Sequence, residues 1–209
     1  MLAVDTATLL AFAVPAAALV LSPGPDTVLI LRYALGSGHR VGVAAVAGVQ
    51  LGLIAHTLLA IAGISVLIAT SPVLFNAIAI AGAAYLAWIG WQGLRGGGAL
   101  ALGAGGRVGA TKALRDDFFC NLLNPKVILM FLALFPQFVD PARSDVPAQL
   151  ATLAGLLLLI NIVWQLPMAW AAQVARRWLD RPNIQLAVAR ATGVIFIGFA
   201  VLLLYDHLA

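Results

Sequence analysis

Two short stretches hold residues that could do chemistry where an apolar chain has no ordinary use for them. SPGPDT, from Ser22 to Thr27, puts two prolines, a glycine and an aspartate inside an apolar run from Thr6 to Leu35. NLLNPK, from Asn121 to Lys126, puts two asparagines, a proline and a lysine inside another. A proline within a helix donates no N–H and collides with the carbonyl four residues back. The backbone oxygens of Leu19, Leu21 and Asn121 are therefore expected to lose their helical partners. In lipid each orphaned group costs several kcal/mol, so such breaks persist only where protein buries them or a wet cavity meets them.

As helix starts, both stretches make sense. Gly24 and Asn124 suit the N-cap, Pro25 and Pro125 the first helical position, with Asp26 and Lys126 following. If the two half-helices leave the break in opposite directions, both positive poles open at the centre of the membrane, where an anionic group such as a carboxylate is favoured. Asp26 complements its own helix start, and it could also hold an ammonium or carry a coupling proton, since acids at that depth are costly. Lys126 opposes its own helix dipole, so it is expected to pair with Asp26, to hold a carboxylate, or to snorkel. An opposite-charge pair between two positive poles suits a zwitterion.

The substrate-binding candidates are Pro23, Gly24, Pro25, Asp26, Gln50, Asn121, Asn124, Pro125, Lys126 and Asn161, with Asp26 as the proton-coupling candidate. Gln50, though on this list, and Gln165 read first as interhelical hydrogen-bonding residues. His56, a lone histidine, reads as a bonded structural residue. Gly48 and Gly52 form a GxxxG spacing that permits close helix packing, within the chain or across a dimer.

These residues must be positioned by membrane helices. The 209 residues are 63% apolar and 10% charged, with no glutamate, which leaves too little polar surface for an ordinary soluble domain. The formal charge of +4 comes from residues scattered in short loops rather than a basic stripe, so nucleic acid is not an expected partner. A single cysteine, Cys120, excludes an intramolecular disulfide or a CxxC metal pair, and no metal or other cofactor is expected.

A bilayer core of about 30 Å takes roughly 20 helical residues. Six apolar runs suffice, near Thr6–Leu35, Val41–Ala69, Pro72–Leu94, Arg115–Val139, Ala148–Ala175 and Ile184–Tyr205. The N-terminus lacks the basic stretch of a cleaved leader, so the first run is kept as a span. Lys and Arg gather in the first, third and fifth connections, which places those inside and both termini outside.

The fold expected is an all-α integral membrane protein, a single transmembrane domain over residues 1–209. It divides into repeat 1 (about 1–95), a Gly/Ala-rich linker (about 96–114) and repeat 2 (about 115–209). Three spans per half require the second half to be inverted. Pro25 lies ten residues before the inner end of span 1 near Leu35, and Pro125 ten residues after the inner start of span 4 near Arg115. At about 1.5 Å per residue, both fall near the midplane.

SPGPD, the glycine-punctuated GSGHRVGVAAVAGVQLG and NLLNPKVILMFLALFPQFVDP together resemble the lysine exporter / homoserine-threonine exporter (LysE/RhtB) family of bacterial inner-membrane proteins. The resemblance implies export of amino acids or related metabolites, driven by the proton gradient, by a homodimer. Neutral, basic and branched amino acids and acyl lactones all fall within that range. The expected function is thus a secondary exporter working by alternating access, not an enzyme. A small-ion or metal-ion exporter and an intramembrane enzyme are the competing readings. No HExxH, GxSxG or paired acid supports the enzyme.

Overall fold

A computed structural model describes residues 3–22, 24–70, 108–172 and 181–208, with a few single positions between them. Every regular element among these residues is helical: α1 (Thr6–Leu21), α2 (Pro25–Ser37), α3 (His39–Thr70), α4 (Ala110–Leu122), α5 (Pro125–Ala133), a 3-10 turn (Phe135–Phe138), α6 (Val146–Trp170) and α7 (Pro182–Leu208). Most of the third expected span, Pro72–Leu94, and of the linker lies outside the described residues. The sixth expected span falls within α7, 27 residues long.

Polarity is arranged inside out. Leu51, Ile54, Leu58 and Leu59 on α3 and Leu159, Val163 and Trp170 on α6 are exposed, while Asn121, Asn124, Asn161 and Gln165 are buried. Such an apolar exterior is at home in hydrocarbon, not water. α3 and α6 are each long and apolar enough to cross a membrane, and the pairs α1/α2 and α4/α5 qualify if each bent pair is one span.

Both breaks fall where the prolines require. α1 gives way to α2 at a bend of 54°, and α4 to α5 at 57°. Gly24 caps α2 and Asn124 caps α5, each followed by proline at the first helical position.

The first connection is shorter than the apolar runs suggest. α2 ends at Ser37 and α3 begins at His39, so Gly38 alone makes the turn, at φ 93° and ψ 164°. That region is essentially closed to residues bearing a Cβ, which explains the glycine.

α3 packs most extensively along α4. A methyl group at Gly48 would overlap the carbonyl oxygen of Leu114, and one at Gly52 would lie 2.5 Å from Asn121 Oδ1. The GxxxG pair therefore joins two helices of one chain and is not a free face for a second copy. Overpacking costs about 1–3 kcal/mol, and here the obstacle is backbone that cannot rotate away. Gly48→Ala is therefore expected to lower the unfolding temperature sharply, whereas Gly63→Ala, with nothing within 4 Å, is expected to leave it unchanged or higher. Equal melting of both variants would contradict this packing.

Further from the breaks, Phe12 of α1 is fully buried and meets Phe135 and Phe138 edge-on, with ring centroids 5.3 Å apart in each case. Phe131 stacks on Phe135 at 4.3 Å and on His56 at 5.4 Å. These rings join α1 to α5 on one side of the breaks. On the other side, Tyr33 of α2 donates its hydroxyl to Asp116 of α4 at 2.6 Å. The two broken helices are thus tied to each other at both ends.

Candidate functional site

The breaks meet. Lys126 Nζ donates to the carbonyl oxygen of Ser22 at 2.7 Å, crossing from the start of α5 to the end of α1. Asn121 Nδ2, at the end of α4, donates to Asp26 Oδ2 at 2.9 Å in the first turn of α2. A Cβ on Gly24 would lie 3.8 Å from Lys126 Nζ, an ordinary contact, so the ammonium passes close beside the break.

This geometry accounts for Lys126, whose own helix gives it no reason to be there. Its partner is the C-terminal, negative end of another half-helix, α1, whose C-cap is Ser22. It does not form an ion pair with Asp26: the ammonium takes the Ser22 carbonyl, and Asp26 takes the Asn121 amide. Two charges of opposite sign are therefore held near each other, each with a neutral partner.

The poles are not equivalent. Asn124 Oδ1 accepts the N–H of Lys126 at 3.0 Å, and the Asn124 carbonyl accepts from Val127 and Ile128, so the start of α5 is largely satisfied from within. α2 receives no side-chain cap from Gly24, which leaves its first N–H groups for another acceptor. The carbonyl of Asn121, expected to be orphaned, accepts the N–H of Asn124 at 3.0 Å and lies 3.4 Å from His56 Nε2. Folding has filled that gap with a backbone donor and a histidine.

Around the breaks lies a cavity of about 460 Å³, its open mouth included. Its polar lining comes from Ser22, Gly24, Asp26, Thr27, Asn121, Asn124, Lys126, Asn161 and Gln165; its apolar lining comes from Leu19, Val20, Leu53, Val127, Met130 and Leu157. Asp26 Oδ1, Asn121 Oδ1 and Gln165 Oε1 are buried acceptors without a hydrogen-bond partner. A cluster of unpaired acceptors beside an aspartate suits a donor-rich cation such as an ammonium.

Of the residues singled out from the sequence, the structure brings Gly24, Asp26, Asn121, Asn124, Lys126 and Asn161 to one cavity. Gln50 stands behind it, donating to Asn161 Oδ1 at 2.8 Å, and so orients a lining residue without lining the cavity itself. The ring of Pro25 is exposed and lies outside the lining. Pro23 lies outside the described residues, and Pro125 contributes as the first residue of α5.

Sequence reasoning missed two residues. Gln165 was read as a helix-packing residue, yet it lines the cavity. Asp117, nearer the expected helix end than the midplane, is not among the candidates, and it is fully buried. Its spacing of four residues from Asn121 puts the two on one helical face, and that signal was available.

Residues 17–207 match the family model described as LysE type translocator. A homoserine/homoserine lactone efflux protein of Salmonella typhimurium is 34% identical over 186 residues, covering 88% of this chain and 90% of that protein. A leucine efflux protein of Enterobacter sp. is 31% identical, covering 90% and 91%. An uncharacterized membrane protein of Vibrio cholerae is 36% identical, covering 93% and 95%. No solved structure matches the chain significantly.

Proposed function

Because the chain belongs to the LysE-type translocator family, we propose that its paired breaks form the substrate site of a proton-driven exporter of amino acids, working by alternating access. The chain is a membrane transporter and not an enzyme, as its relatives named efflux proteins indicate. The observation that carries the substrate reading is the opposed pair in one cavity: Asp26 with unpaired acceptors around it, and Lys126 beside the uncapped start of α2. A substrate ammonium goes to Asp26 and its carboxylate to Lys126 and the α2 N–H groups. The remaining lining is aliphatic, from Leu19, Leu53, Val127, Met130 and Leu157, which suits a neutral amino acid with a branched or thioether side chain. A lysine side chain would leave a second cation without a partner there.

Two broken spans bent by similar angles, each restarting with proline at the first helical position, support a pair of inverted three-span repeats. The distribution of Lys and Arg supports a bacterial inner-membrane orientation with both termini outside. A homodimer fits this reading, through a face other than the Gly48–Gly52 seam.

The test is efflux from vesicles carrying the purified protein and preloaded with leucine, methionine or lysine. Faster loss of leucine or methionine than lysine, accelerated by an imposed proton gradient, is expected. Preferential loss of lysine, or of inorganic cations alone, would contradict the substrate assignment.

A further inference from the structure

Two adjacent aspartates of α4 have opposite surroundings. Asp116 receives Tyr33 at 2.6 Å and Lys112 at 2.5 Å, with Arg115 at 3.7 Å. Asp117 has no exposed surface, and neither of its oxygens has a hydrogen-bond partner. A buried carboxylate in that position is stripped of water with nothing to offset the loss, and taking up a proton removes most of that cost.

The charged and titratable groups on the elements packed against α4 do not supply a counter-charge. α2 carries Asp26, Arg32 and Tyr33; α3 carries His39, Arg40 and His56; α5 carries Lys126. Lys126 is engaged with Ser22, His56 with the Asn121 carbonyl and Tyr33 with Asp116. Among the described residues none forms an ion pair with Asp117. Asp26, the acid nearest the substrate position, opposes a second negative charge nearby.

Asp117 is also connected to the cavity. It lies one helical turn from Asn121, whose amide holds Asp26 and whose Oδ1 is itself buried and unpaired. From this placement we propose that Asp117 is the residue that carries the coupling proton. The proposal rests on the proton-driven reading above and assigns its carrier.

The coupling follows from charge alone. With the cavity empty, Asp26 forms no ion pair among the described residues, its charge disfavours a second one on Asp117, and Asp117 keeps its proton. When a substrate ammonium settles on Asp26, that repulsion is neutralised, and the Asp117 O–H can ionise, passing its proton to entering water. Departure of the substrate restores the repulsion and favours uptake of a proton. Substrate and proton therefore exclude one another, which is the requirement for exchanging an outgoing solute for an incoming proton.

The experiment uses the full chain in vesicles containing a pH-sensitive dye, with leucine as the probe. Asp117→Asn preserves shape and cannot titrate. It is expected to bind leucine at every pH with the weaker affinity of the protonated parent protein, and to retain leucine–leucine exchange. Its leucine-evoked proton movement should fall at least about tenfold and lose its pH dependence, and Asp117→Glu should restore part of it. Should the Asn variant not fold, Asp117→Ser provides the same non-titrating comparison. Proton movement by Asp117→Asn equal to the parent's would overturn the assignment of Asp117 alone. Leucine efflux by the parent protein with no accompanying proton movement would overturn the proton-driven reading and this proposal with it, leaving the amino-acid site intact.

Discussion

Lys126→Ala is expected to leave a folded protein in the membrane that neither binds leucine measurably nor exports it. The ammonium lies at the junction of the two breaks and, among the described residues, is the only lining side chain that carries a positive charge. Removing one member of a desolvated charge pair costs about 2–5 kcal/mol, which is roughly thirtyfold to several thousandfold in affinity. The same change withdraws the donor from the Ser22 carbonyl, so a modest drop in unfolding temperature should accompany it. Lys126→Arg keeps the charge but replaces the compact ammonium that reaches the Ser22 carbonyl with a larger planar fork, and only partial recovery is expected. Calorimetric titration with leucine and efflux from vesicles measure the two effects separately. Undiminished transport by Lys126→Ala would remove the carboxylate role.

Asp26→Asn is expected to act on binding at every pH. Asn can still accept from Asn121 and still sit in the first turn of α2, so the break should survive. What it loses is the charge that meets the substrate ammonium. A hydrogen bond to a charged group contributes about 1.5–3 kcal/mol against about 1 for a neutral pair, so affinity should fall about tenfold. The pH profile separates Asp26 from Asp117. Loss of affinity together with weakened coupling fits an ammonium site whose charge governs Asp117, whereas normal affinity with coupling abolished would make Asp26 itself the proton carrier.

How much of this was legible beforehand follows from the range of the interactions. Proline, cap chemistry and a break in an apolar run are local properties, so the starts at Gly24–Pro25 and Asn124–Pro125 could be read directly from the chain. The single-residue turn at Gly38 is also local, but a run of apolar residues has soft edges, and the expected spans stopped short on both sides of it. The partner of Lys126 was not legible because the compensating pole belongs to α1, about a hundred residues earlier in the chain. A dipole argument confined to one helix could only find the conflict. The same limit hid which surface Gly48 and Gly52 approach: GxxxG specifies closeness, and only the fold shows that Leu114 and Asn121 fill the space. Asp117 was obscured for a different reason. Its neighbour Asp116 is paired and part-exposed, and two consecutive aspartates near an expected helix end look alike until burial separates them.

The account turns on a cavity that recognises both ends of a zwitterion, and calorimetric titration of the purified protein tests this most directly. Leucine should bind, while leucinamide, which lacks the carboxylate, and 4-methylpentanoate, which lacks the ammonium, should each bind at least about tenfold more weakly. Binding of either analogue as tightly as leucine would contradict the opposed roles of Asp26 and Lys126.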